Sequence, residues 1–176
     1  ILFVRSPRML TPDERAKIGM FCNLPAKNVI TSMNVDNIYK IPIVYDEQDV
    51  FNIMAQHFGL PEAAGDMTKI KKIEHHLNSD LPTCTIGVVG KYFDVADAYK
   101  SFNEALFHAS VQNNVHLKIK KIDAENFTPE DCADVDGILI PGGFGTRGVD
   151  GKIAAAKYAR ENDIPFMGLA DRKSVV

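Results

Sequence analysis

Three short apolar runs in the second half of the chain, residues 85–90 (TIGVVG), 137–140 (GILI) and 164–169 (IPFMGL), show almost no alternation of polar and apolar side chains. A strand that is apolar at every position must be covered on both faces, which is the condition of a strand inside a parallel sheet. The intervals between the runs carry helical spacing. Ala98, Phe102, Ala105, Leu106 and Ala109 share one side of a helix over 97–111, and an Ala-rich helix covers 152–160. Residues 116–122 (HLKIKKI) alternate as a half-exposed strand does. The order strand, helix, strand, loop or short helix, strand, helix, strand predicts a doubly wound, mostly parallel α/β sheet with right-handed crossovers.

The first half reads differently. Ile1 to Val4 is an apolar run with no start signal before it, so the chain is expected to be a piece of a longer protein. Thr11, Pro12 and Glu14 form a helix start, with Thr11 as N-cap and Glu14 three residues on, and Ile18, Phe21 and Cys22 space its apolar face. Residues 28–32 (NVITS) are rich in β-formers. Residues 38–45 (IYKIPIVY) are apolar, but Pro42 restricts them to an edge strand or an extended segment. A helix over 49–58 ends at Gly59 and Pro61. Residues 61–83 are polar and charged and read as an interdomain linker with a helical stretch near 67–77. His75 and His76 lie there, about 100° apart on a helix, which suits a solvated pair better than a shared metal.

Bulk properties exclude several classes. The net charge of −3 comes with no basic block, so no nucleic-acid surface is indicated. No apolar run approaches the length of a membrane span, and no basic segment precedes a hydrophobic one as in a secretory signal. The 3 cysteines are odd in number and far apart, fitting neither a disulfide framework nor a metal site. Small buried thiols in a reducing cytoplasm are the expectation.

Chemistry concentrates after GILI, where Pro141 opens a loop holding Gly142, Gly143, Gly145 and Gly148. Residues 143–148 spell G-x-G-x-x-G, as in a dinucleotide-binding turn. That turn needs an acid at the carboxyl end of the next strand about twenty residues on. Asp163 precedes that strand, and Asp171 lies too late. A tight turn without a ligand is the plain alternative. The remaining chemical use of such a loop is an oxyanion site, in which backbone N–H groups stabilise a carbonyl oxygen turning negative. Its nucleophile belongs in the sharp turn after the next strand, where this chain has Leu169, Ala170 and Asp171, with no Ser or Cys.

Residues 5–25 (RSPRML and ERAKIGMFCNLP), 28–42 (NVITSMNVDNIYKIP), 86–106 (IGVVGKY and DAYKSFNEAL) and 136–168 (around PGGFGTRGVDGKI) together resemble the CTP synthase family. The resemblance runs from Arg5 to about Gly168. It implies a glutamine-dependent carbon–nitrogen ligase of pyrimidine nucleotide biosynthesis. An α/β amidoligase domain binds ATP with Mg2+ and UTP, and a class I glutamine amidotransferase domain with a Cys-His-Glu triad supplies ammonia. The resemblance further implies a homo-tetramer with GTP as allosteric activator and no covalently bound cofactor. It places 1–60 at the end of the amidoligase domain, 61–83 in the linker and 84–176 in the first half of a truncated amidotransferase domain.

Residue by residue, Gly142, Gly143 and Phe144 match the family's glutamine-binding and oxyanion loop. Lys17 matches a lysine that contacts UTP or CTP; on its spacing alone it would be read as a solvated helix position. Met33, Asn34 and Val35 match an ATP-contacting stretch in which many members carry Asp where this chain has Asn34. Tyr92 and Lys100 match residues near the domain junction. No metal ligand is implied. Ala170 takes the position of the nucleophilic cysteine, and 171–176 match nothing, so foreign residues are expected there. The P-loop and the catalytic His and Glu have no counterpart. The chain is therefore expected to be inactive. The alternative is a non-enzymatic pseudo-glutaminase or regulatory interaction protein.

Overall fold

The computed structural model describes residues 1–62, 65–95 and 97–169. The chain divides into two compact units, Ile1–Ser79 and the residues from Asp80 onward.

The first unit begins with a β-α-β motif. Strand β1 (Leu2–Ser6) runs parallel to β2 (Val29–Met33), with Leu2 opposite Val29 and Ser6 opposite Met33. Helix α1 (Pro12–Cys22) makes the crossover. Its start is the expected one: the Thr11 hydroxyl accepts from the Glu14 N–H while the Glu14 carboxylate accepts from the Thr11 N–H, a capping box. The apolar face is narrower than its spacing suggests. Gly19 is the buried residue, and Phe21 and Cys22 are exposed; the chain after the helix folds back onto Gly19, where a Cβ would stand 2.6 Å from the Leu24 carbonyl oxygen.

Residues 38–46, expected to be extended, are helical. A 3-10 turn (Ile38–Lys40) leads into α2 (Ile41–Asp46). Pro42 lies in the first turn of α2, where its missing N–H has no partner to lose. Helix α3 (Val50–Phe58) follows after Asp49 adopts positive φ, and it ends on Gly59 in the left-handed region. Ile30 of β2 packs against Val50 and Ile53 of α3 to form the core. The open edge of β2 is closed by a side chain. The Thr31 N–H donates to Gln48 Oε1 at 2.8 Å, and Gln48 Nε2 donates back to the Thr31 carbonyl at 2.9 Å. Part of the polar stretch 61–83 folds as α4 (Thr68–Asn78), which packs on α2 within this unit. His75 is exposed, but His76 is buried, so the two are not a solvated pair.

The second unit is a four-stranded parallel sheet in the order β4-β3-β5-β6, formed by β3 (Thr83–Gly90), β4 (His116–Asp123), β5 (Gly137–Ile140) and β6 (Phe166–Gly168). Helix α5 (Lys100–Asn113) links β3 to β4, and α6 (Val149–Glu161) links β5 to β6. The expected doubly wound α/β order is therefore present. The buried residues of α5 are Ser110 and Val111, with Phe102 and Leu106 half-buried, whereas Ala98, Ala105 and Ala109 face outward. Val89, Ile122, Cys132 and Ile138 pack with Ala155 and Ala159 of α6 as the core of one sheet face.

The chain leaves β3 toward β4 on one side and then returns to β5 on the other. The carboxyl ends of β3 and β5 therefore flank a topological switch point, the place where open α/β sheets hold their ligands.

Candidate functional site

The residues that leave this switch point are Lys91 and Tyr92 after β3, and Pro141 to Gly148 after β5. The glycine loop therefore stands at the ligand end of the sheet. Gly145 and Gly148 have positive φ, 79° and 71°, which fold the loop back so that Gly148 caps α6. Gly142, Gly143 and Phe144 are all exposed. Their N–H groups donate to no backbone carbonyl among the described residues. Asp163 lies before β6, at the opposite end of the strands, as a dinucleotide turn would not have it.

Sequence reasoning passed over the basic side chains beneath this loop. Lys91, almost fully buried, donates from Nζ to the carbonyl oxygens of Phe144 and Arg147. Arg147 Nη2 donates back to the Lys91 carbonyl at 3.2 Å, and its Nη1 pairs with Glu125 at 2.7 Å. Both cations lie over the Tyr92 ring, at 5.3 and 5.8 Å from its centroid. Lys152, on the first turn of α6, points its Nζ at the Pro141 carbonyl, 3.4 Å away. Burial first, and then the neighbouring Lys91 charge, hold the Lys152 ammonium below the usual lysine range. A Cβ on Gly143 would lie 3.4 Å from both Lys91 and Tyr92 and 3.6 Å from Lys152 Nζ. The loop thus lies directly on two lysines and an aromatic ring, a positive setting for an anion or a developing oxyanion. The available signal was Lys91 itself, a lysine directly after the buried strand end Val88–Gly90.

No thiol of the described residues reaches this loop from the same unit. Cys84 is at the beginning of β3, the far end of the sheet, and Cys132 is fully buried, with burial raising its pKa. Cys22 is exposed on α1 in the first unit. Ala170, expected at the nucleophile position, and 171–176 lie outside the described residues. Lys100 opens α5 and is exposed.

In the first unit, Met33, Asn34 and Val35 continue from β2 and line a cavity of about 520 Å3 together with Phe3, Arg5, Ser32 and Tyr45. It opens at the carboxyl end of β1 and β2, so Arg5 brings one positive charge to a pocket otherwise apolar and neutral. Lys17 is exposed on α1 and is not among the lining residues. For a Mg2+ ion, the lining side chains offer only the neutral oxygens of Ser32, Asn34 and Tyr45, a poor donor set for a hard cation. Among the described residues, no cluster of three or more His, Cys, Asp or Glu could hold a metal. None of the described helices is long and apolar enough to cross a membrane.

Residues 1–60 match the family model for the CTP synthase N-terminus, and residues 94–170 match that for glutamine amidotransferase class-I. A CTP synthase of Lactiplantibacillus plantarum is 43% identical over 173 residues, an alignment covering 96% of this chain and 32% of that protein. The solved Trypanosoma brucei CTPS glutaminase domain with bound acivicin is 40% identical, over 48% of this chain and 35% of that one, with a TM-score of 0.46. The chain spans about a third of the length of each. The two family models match in the order in which the two units follow one another, and the chain belongs to the CTP synthase family.

Proposed function

We propose that residues 142–144 are the glutamine-binding and oxyanion loop of a CTP synthase, carried here in a form that does not hydrolyse glutamine. The observation that carries the reading is the exposed backbone of Gly142, Gly143 and Phe144 at the switch point, backed by Lys91 and Lys152. In amide hydrolysis a thiolate attacks the γ-carbonyl, and the oxygen becomes negative as the tetrahedral intermediate forms. N–H donors aimed at that oxygen stabilise it, and the fixed cations beneath raise the local potential. The parent enzyme would pass the released ammonia to a site that makes CTP from UTP and ATP. In that reading Met33, Asn34, Val35 and Arg5 serve ATP, whose magnesium arrives with the triphosphate. Lys17 serves UTP or CTP. The cytoplasmic homo-tetramer and its GTP activation belong to the same reading.

In the sequence, Ala170 takes the position that the resemblance gives to the nucleophilic cysteine and carries no thiol, and neither Cys84 nor Cys132 can replace it from its position. The purified chain is expected to release no ammonia from glutamine above background; release at a rate proportional to chain concentration would contradict the inactive assignment. Ala170 also favours a second reading, a pseudo-glutaminase that regulates an intact CTP synthase. A concentration-dependent change in CTP formation when the chain is added to the intact enzyme would select it.

A further inference from the structure

Lys91 and Arg147 are bonded reciprocally. The Lys91 side chain donates to the Arg147 carbonyl, and the Arg147 side chain donates to the Lys91 carbonyl. The Lys91 ammonium also takes the Phe144 carbonyl. In a trans peptide the C=O and the following N–H point in opposite directions. Turning the Phe144 carbonyl inward to Lys91 therefore turns the Gly145 N–H away from it. If that peptide flipped, the N–H dipole would face a buried ammonium, an arrangement disfavoured electrostatically. The positive φ of Gly145 lets the chain accept the inward carbonyl without side-chain strain. Glu125, in the turn after β4, holds Arg147 from outside, and Tyr92 lies beneath both cations.

We infer that Lys91 and Arg147 form a latch that fixes the Phe144–Gly145 and Arg147–Gly148 peptide planes of the glycine loop. Both are positioning residues: the bonds to the Phe144 and Arg147 carbonyls set the direction of the Gly145 and Gly148 N–H groups and hold the base of the loop that carries Gly142 to Phe144, without donating to the ligand themselves. The assignment rests on the reading of the loop as a glutamine site only for its consequence; the latch itself is a property of the free chain. It also accounts for a lysine buried at a strand end with no carboxylate partner among the described residues. Its charge is spent on two carbonyl oxygens of the loop it orders.

The test uses the full chain labelled with 15N, with K91M, R147M, K91R and the remote control K120M, which removes the Lys120–Asp134 pair. In K91M and R147M the amide signals of Gly142 to Gly145 should shift or broaden, while K120M leaves them in place and K91R restores them in part. Arg147 is about half exposed, so R147M decides the matter if K91M fails to fold. L-Glutamine is then titrated into each variant, with about tenfold weaker binding expected in K91M. Unchanged loop signals in both K91M and R147M would overturn the latch. Absence of glutamine binding in the unmodified chain, with the loop signals still responding to K91M, would instead remove the functional reading and leave the latch standing.

Discussion

At the scale of single residues, the loop's surroundings tolerate little change. Gly151, in the first turn of α6, lies against Ala124, and a Cβ there would come within 2.0 Å of the Ala124 carbonyl oxygen. That neighbour is backbone and cannot rotate aside, so α6 would have to move. G151A should therefore cost about 1–3 kcal/mol or more, as overpacking does, read as a lowered melting temperature. Glu14 is a second case. Its side-chain bonds to Arg8, and then the Thr11 backbone N–H, hold its carboxyl down to about 2, against an ordinary 4.5. The folded pKa lies below the unfolded one, so the stabilisation is complete above 4.5 and is lost as pH falls through about 2. The pair is solvent-exposed, so the effect is small and weakened by salt. E14Q should lower the melting temperature at neutral pH and flatten its dependence between pH 4.5 and 2; an unchanged acid profile would contradict the assignment.

At the scale of elements, legibility followed the length and the surroundings of each segment. Strands β3 and β5 were readable because continuous apolar runs have few other uses, and α1 because Thr11, Pro12 and Glu14 carry its start in local chemistry. Helix α2 was not readable. Its six residues are too few to show a 3.6 period, and Pro42 reads as a strand-edge residue or a helix-start residue until the context is known. The inward face of α5 was misplaced because small alanines spaced correctly for burial lie outward while Ser110 is covered. His76 is buried on α4, a helix that packs against the Ile38–Lys40 turn and α2, contacts no local pattern records. The edge role of Gln48 was equally invisible, since a side chain pairing with a strand backbone leaves no periodic trace. Q48A should leave the Thr31 N–H and carbonyl without these partners and cost about 1–3 kcal/mol, measured by denaturant unfolding. In the second unit, Phe166 and Met167 of the outer strand β6 and the following Leu169 are exposed, whereas Ile138 and Leu139 of β5 are buried because β3 and β6 flank them.

At the scale of the whole molecule, the glycine loop was legible as an oxyanion candidate, and its basic support was not. The loop announces itself by glycine spacing. Lys91 and Lys152 lie 61 positions apart in the sequence, so no local pattern joins them; the switch point brings them together beneath Gly143. In the proposed function this loop receives glutamine while Ala170 withholds the nucleophile. The most direct test is an L-glutamine titration of the 15N-labelled chain, followed at the amides of Gly142, Gly143 and Phe144. Saturable shifts confined to these amides and their neighbours, with glutamine left intact, are the predicted result. Loop amides that stay in place up to saturating glutamine would contradict it.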